Sequence, residues 1–165
     1  MAASPARAFA TGAPTIGAAA DADSGEGEGE GEGEGEDEGM KFATWNVNGI
    51  RAREAQVLEL VARESPEVLC LQEIKAPLEK VPESLRALEG YTCLWHGVNA
   101  YAGVGLHVRR EAAPTPPVFA HPAFDVETRV ATAEVGGVTF ASVYVPNGGK
   151  DLAAKLRFLG AMDVW

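Results

Sequence analysis

Between Gly25 and Gly39 glycine alternates with an acidic residue almost without interruption, and such a run has nothing to bury. Its like charges repel one another, and glycine loses more backbone entropy on ordering than any other residue. The run divides the chain, so any core must come from Met40 onward. Residues 1 to 39 carry ten acidic groups against one Arg, whereas residues 40 to 165 carry fourteen against thirteen basic ones. The formal net charge of -10 thus belongs to the leading segment. The part left to fold is about the size of one domain. Being near neutral, it has no net field to draw it onto nucleic acid, and any such binding must rest on a local cluster of positive groups.

Met1 to Ala20 is rich in Ala, Ser, Thr and Pro, and Arg7 is its one charged side chain. This acid-poor stretch reads as an organelle transit segment, as an unstructured extension, or as the product of a start codon placed too early with Met40 the true beginning. Residues 1–39 are therefore expected to form a disordered extension. Cys70 and Cys93 are too few for a disulfide framework and lack the spacing of a zinc or redox site, so they read as buried reduced thiols. No apolar run approaches the roughly 20 residues of a membrane helix. A soluble intracellular protein is expected, in the nucleus, an organelle or elsewhere in the cell, with no membrane partner.

From Lys41 the pattern changes to alternation, with Phe42, Thr44 and Asn46 on one face and Ala43 and Trp45 on the other, which predicts a strand ending near Asn46. Ala52 to Glu64 carries Val57, Leu60 and Val61 at helical spacing, and Ser65-Pro66 closes it. Val68 to Leu71 is a short continuous apolar run, as in a strand buried on both faces. Strand, helix and strand make a crossover unit with its two strands parallel. Glu83 to Leu88 reads as a short helix, and Tyr91 to Trp95 and Val104 to Val108 as neighbouring strands. Glu111 to Pro122 holds four prolines and reads as connection. Arg129 to Val135 and Val138 to Val145 flank Gly136-Gly137, a hairpin signal. Asp151 to Trp165 sets Leu152, Leu156 and Leu159 on one helical face, and the chain stops without a cap, as a fragment would.

The first strand stops in Asn46-Val47-Asn48-Gly49 and the second apolar run stops in Gln72-Glu73-Ile74-Lys75, which delivers two polar ends to one sheet edge. Glu73 could give an oxygen to a hard cation such as magnesium, which takes one or two carboxylates plus phosphate oxygens. Asn46 and Asn48 are turn formers or site amides. Arg51 and Arg53 follow the turn and either meet phosphates or stay solvated. Lys75 shares a face with Glu73 if the strand continues, and either joins a site or simply neutralises it. Tyr144 ends its strand in the same manner, as a site hydroxyl or a rim tyrosine. His96, His107 and His121 show no metal spacing, and His107 reads as a satisfied structural residue.

Thr44 to Arg51, Leu69 to Lys75 and Val143 to Gly148 together resemble the exonuclease III family of apurinic/apyrimidinic endonucleases, within the endonuclease/exonuclease/phosphatase superfamily. Trp95-His96-Gly97, Gly103-Val104-Gly105, Arg129-Val130 and Lys155-Leu156 are also similar, and the likeness runs from Met40 to Trp165. The resemblance implies an α/β (α+β) fold, the first half of a four-layer deoxyribonuclease-I-like β-sandwich with flanking helices. It implies cleavage of a DNA phosphodiester with Mg2+, or with Mn2+ in its place, on double-stranded DNA at an abasic site or a 3′ end. Glu73 matches the family's metal-binding glutamate and Asn46 the asparagine beside that metal. Tyr144 matches the tyrosine near the scissile phosphate and Arg129 an arginine of the DNA-facing side. Asn48, Arg51 and Lys75 match recurrent positions on the substrate side.

A Gly-Asp-Phe-Asn-like block, a second carboxylate and a final Asp-His pair of the family have no counterpart in these residues. The chain alone is therefore expected to be inactive, and its sheet is expected to show an uncovered apolar inner face. Two rivals stand beside this reading: action on another phosphodiester such as RNA, and a non-catalytic binding fragment or pseudoenzyme.

Overall fold

The computed structural model describes residues 15–19 and 39–165. Strands β1 (Thr15–Ala19), β2 (Met40–Asn46), β3 (Val68–Gln72), β4 (Tyr91–His96) and β5 (Val104–Arg109) form one sheet in the order β1-β2-β3-β5-β4. A smaller sheet follows, of β6 (Phe119–Ala120), β7 (Val130–Val135) and β8 (Val138–Val143) in sequence order. Helices α1 (Glu54–Glu64), α2 (Glu83–Arg86) and α3 (Leu152–Asp163) and three short 3-10 turns complete the described elements.

β2 and β3 pair in parallel with Asn46 opposite Gln72, as the crossover through α1 requires. The alternation of β2 sorts its side chains between two cores. Ala43 and Trp45 join Leu69 and Leu71 of β3 beneath Val57 and Leu60 of α1 and Leu85 of α2. On the opposite face Val68, Cys70, Val104, Leu106 and Val108 meet Ala131, Ala133 and Val135 of β7. Phe42 and Phe140 cross this gap with ring centroids 5.9 Å apart. All five residues of β3 are buried because the strand is covered from both sides, and each such apolar side chain contributes about 1.5–3 kcal/mol. Gly136 and Gly137 turn the β7–β8 hairpin with φ of 58° and 76°, a conformation that only glycine adopts freely and that matches the strand twist.

Two expectations are corrected. Thr15–Ala19 does not lie idle within a disordered extension but pairs antiparallel with β2 from Thr15 opposite Thr44 to Ala19 opposite Met40. An open edge of β2 would leave a row of unpaired backbone groups, and a short extended segment satisfies them. Gly17 sits opposite Phe42, whose ring fills the space a side chain there would need. The rest of the leading segment, including the Gly/Glu run and most of the transit-like stretch, lies outside the described residues.

The second correction concerns the uncovered face. The inner face of the large sheet is closed by β7 and β8, so it is not bare. The exposed apolar surface lies elsewhere: Leu152, Leu156 and Leu159 of α3 are 60%, 59% and 40% exposed. That helix starts on Asp151, whose carboxylate accepts from the Ala154 amide at 2.8 Å, and it meets the body through Phe158 against Phe124.

Candidate active site

The parallel strands β2 and β3 end side by side, and the turns that follow are stitched together by their backbones. The amides of Val47, Gly49 and Ile50 donate to the carbonyls of Gln72, Glu73 and Ile74, while those of Ile74 and Lys75 donate to Gly103 and Ala102. Strand β3 ends at Gln72 and does not continue through Lys75, so the condition under which Lys75 would share a strand face with Glu73 is not met. Glu73 and Lys75 both take positive φ, 54° and 50°, as do Asn48 and Ala102 nearby. Non-glycine residues hold such angles at a cost, and they gather where surrounding contacts fix them.

Glu73 is the centre of the cluster. Asn46 Nδ2 donates to its Oε1 at 2.9 Å and Lys75 Nζ lies 2.7 Å from its Oε2, and the Tyr144 hydroxyl is near enough to the same carboxylate to favour its ionised form. Burial, the largest single influence, pushes the Glu73 carboxyl upward, but Asn46, Lys75 and Tyr144 together outweigh it and hold it below the usual carboxylate range. Tyr144 moves the opposite way: burial and the neighbouring carboxylate raise its hydroxyl above the ordinary value. Asn46 turns its oxygen back to the Asn48 amide, 3.1 Å away, so what it offers Glu73 is a donor. Asn48 Oδ1 accepts from Lys75 Nζ, which closes the ring of contacts.

Arg129 arrives from the start of the small sheet. Its guanidinium lies 5.0 Å from the centroid of the Tyr144 ring and pairs with Glu127 at 2.6 Å. Asn46, Asn48, Glu73, Lys75, Tyr144 and Arg129 are therefore brought together. Arg51 is not. It is exposed on a short 3-10 turn, and among the described residues it makes no hydrogen bond or ion pair with the cluster.

Why these side chains converge is visible one or two residues upstream. Gln72 Nε2 donates to Thr44 Oγ1 at 3.1 Å and to Ser142 Oγ at 3.2 Å, and Ser142 Oγ donates to the Leu71 carbonyl at 3.2 Å. This bridge ties the two sheets together just before Asn46, Glu73 and Tyr144 leave them.

The cleft in front of Glu73 has a volume of about 520 Å³ and is also lined by Tyr101, Glu127, Lys150 and Asp151. Sequence reasoning missed these four because three of them lie in loops with no periodicity. The helix-cap role of Asp151 was the one signal that could have placed it. Two of them supply further carboxylates, but Glu127 is paired with Arg129 and Asp151 caps α3. As a magnesium ligand set, the cluster offers Glu73, an ionised carboxylate at the rim of an open cleft, which fits one anchor point with phosphate oxygens supplying others. Both its oxygens already accept hydrogen bonds.

His107 departs from the satisfied residue expected of it. It is fully buried beside Trp95, with ring centroids 4.4 Å apart, and neither ring nitrogen has a hydrogen-bond partner. Burial pushes its imidazole down to about 3. Cys70 and Cys93 are free thiols, Cys70 buried as expected and Cys93 only half-buried, and burial pushes them up to about 12 and about 11.

The model of the endonuclease/exonuclease/phosphatase family matches residues 43–163. The chain belongs to this family. Among curated proteins it is 34% identical to the recombination repair protein 1 of Drosophila melanogaster over 115 residues, covering 68% of this chain and 17% of that protein. It is 33% identical to the exodeoxyribonuclease III of Haemophilus influenzae, covering 66% of this chain and 42% of that protein. It is 32% identical to the DNA repair nuclease APEX1 of Danio rerio, covering 76% and 42%. A solved 3′-5′ exonuclease of Neisseria meningitidis superposes with a TM-score of 0.63 at 35% identity, over 74% of this chain and 50% of that one. An AP endonuclease of Archaeoglobus fulgidus gives 0.59 at 28% identity, over 72% and 46%. The fold is thus the mixed α/β sandwich of the exonuclease III type, and the chain spans half or less of the length of these relatives. No helix among the described residues is long and apolar enough to cross a membrane.

Proposed function

We propose that this chain carries one wall of a DNA phosphodiesterase site of the exonuclease III type, which acts on double-stranded DNA at an abasic site or a 3′ end with magnesium. The observation that carries the reading is Glu73, a carboxylate kept ionised by Asn46, Lys75 and Tyr144 at the carboxyl end of a parallel strand pair. In open α/β sheets this edge is where ligands bind. Glu73 would anchor the metal, and Asn46 and Tyr144 would orient its carboxylate. Lys75 and Arg129 would present positive charge to the DNA phosphates. Magnesium, when bound, supplies positive charge to the phosphate oxygens.

None of the described side chains around Glu73 is free to activate water. Glu73 is engaged by Asn46 and Lys75, Glu127 is paired and Asp151 caps a helix. We therefore propose that the 165-residue chain alone does not cleave DNA. With an abasic-site duplex and Mg2+, its rate should match that of Glu73→Ala, and cleavage well above that control overturns the proposal. A chimera in which residues 40–165 replace the matching part of the Haemophilus exodeoxyribonuclease III tests the function itself. It should cleave, and Glu73→Gln within it should slow cleavage by about 10²-fold or more, as loss of a group stabilising transition-state charge does. A folded, DNA-binding chimera indifferent to that change sinks the reading.

A further inference from the structure

On the same rim as the Glu73 cleft, the end of β4 meets the connection that leads into β7. There His96, His121 and Asp125 each direct one ligand atom to a common space, all three atoms lying within 4.8 Å of one another. His96 Nε2 is 3.0 Å from Asp125 Oδ2, and the two imidazoles stack at 4.7 Å with their planes 19° apart. The Asp125 carboxylate is held in place from behind. Its Oδ1 accepts from the Arg129 amide at 2.8 Å and its Oδ2 from the Val130 amide at 2.9 Å.

The charge balance of this corner is what calls for a cation. The Asp125 side chain is 1% exposed, and no Lys or Arg among the described residues pairs with it; its one ion-pair partner is the His96 imidazole. A carboxylate so far from water is costly unless it is neutralised. The nearest guanidinium, that of Arg129, is turned away toward Glu127 and Tyr144. Two imidazoles and one oriented carboxylate are a donor set that suits zinc, with a fourth position left for water. Around a tetrahedral zinc, donors at bonds near 2.1 Å stand roughly 3.4 Å apart. The His96–Asp125 pair is already near that separation, and exposed His121 closes the remainder by rotating its side chain.

We propose that His96, His121 and Asp125 bind a zinc ion, separate from and chemically unlike the magnesium anchor at Glu73. The ion would fasten the connection from His121 to Val130 onto the end of β4. That connection delivers Arg129 to the cleft, so zinc would stabilise one part of the candidate site without touching DNA. The sequence holds three histidines, and His107 is buried with its nitrogens turned inward, so any site with two imidazole ligands in one copy of this chain must use His96 and His121.

Zinc titration of the full chain, with a chromophoric chelator as competitor, tests this. One tight equivalent is expected, undisturbed by excess magnesium, and Co2+ in its place should give the intense visible absorption of a tetrahedral site. The Glu-rich run offers weak carboxylate sites of its own, and His121→Ala separates the two. Because His121 is exposed, that variant keeps the fold, and it should bind the tight equivalent at least about tenfold more weakly, the loss seen even for outer partners of a metal. Zinc should also slow amide exchange between residues 121 and 130 in the wild type and not in the variant. Absence of a tight equivalent, or a tight equivalent unchanged by His121→Ala, overturns the proposal.

Discussion

The large sheet is packed on both faces, by α1 and α2 on one side and by β7 and β8 on the other, whereas among the described residues no further strand pairs with β8 in the small sheet and the leucines of α3 are exposed. The candidate site draws on both. Asn46, Glu73 and Lys75 leave strands or turns braced by two cores, while Tyr144 and Arg129 come from the less covered sheet. The difference teaches where precision comes from. On the first side it comes from close packing, which resists any change of volume. On the second it comes from a few polar contacts, chiefly the Thr44–Gln72–Ser142 bridge and the Arg129–Tyr144 stack.

The comparison breaks most visibly under truncation of a core side chain. Leu69→Ala removes a side chain with no exposed surface and should cost about 2–5 kcal/mol by chemical denaturation. A loss under about 1 kcal/mol would mean that the large sheet is not the rigid partner. Ser142→Ala leaves the buried Gln72 amide short of a partner and should cost about 1–3 kcal/mol. The exposed Thr139→Ala on the same strand should stay within about 0.5 kcal/mol. Equal effects at the two positions would remove the bridge as the device that fixes the small sheet.

Acid provides the third probe. His107 is neutral when folded, with its imidazole pushed to about 3 from an ordinary 6.5, so between those values the unfolded chain binds the extra proton. Stability should therefore fall with decreasing pH through that window, with His107 contributing a slope of about 1.4 kcal/mol per pH unit. His107→Leu should remove that component from the melting profile, and an unchanged profile would contradict the neutral buried ring. Glu73 has the same sign over a lower range. Its depressed carboxyl contributes stability above the ordinary value of 4.5, lost as pH falls through its folded pKa. Tyr144→Phe removes the hydroxyl that helps to lower the Glu73 carboxyl, so that carboxyl should titrate higher by NMR and stability at neutral pH should fall by no more than about 1.5 kcal/mol. An unmoved Glu73 titration would sever the two halves of the cluster. The smallest effect belongs to Leu156→Glu on α3. Stability should change by no more than about 0.5 kcal/mol, while any concentration dependence of the melt should diminish; a large loss of stability would show that α3 is packed more firmly than its exposure indicates.

Much of this was legible in the residues. Alternation gave β2 its two faces, the apolar run gave β3 its double burial, and Gly136-Gly137 marked the hairpin. Helix α1 begins at Glu54 rather than Ala52 because a 3-10 turn over Ile50–Ala52 intervenes, and a pattern of apolar spacing does not separate the two. The two residues of β6 fall among prolines and are too short to show a period. Pairing of Thr15–Ala19 with β2 depends on a contact across more than twenty residues, which no local pattern carries. Within the site, Asn46, Glu73 and Tyr144 were found because each ends a strand. The left-handed turns at Glu73 and Lys75, and the grouping of His96, His121 and Asp125, were hidden because both depend on tertiary neighbours rather than on spacing.

The Thr44–Gln72–Ser142 bridge also works as an error check. Slipping a strand by one residue sends every side chain to the opposite face. A slipped β3 or β8 would point Gln72 or Ser142 away from the inter-sheet gap and leave the remaining polar groups there without partners, each at about 1–3 kcal/mol. Only the correct register satisfies all three, and that register is the one that sends Asn46, Glu73 and Tyr144 to a single edge. Correct pairing and assembly of this wall are thus one and the same test, applied before any ligand arrives.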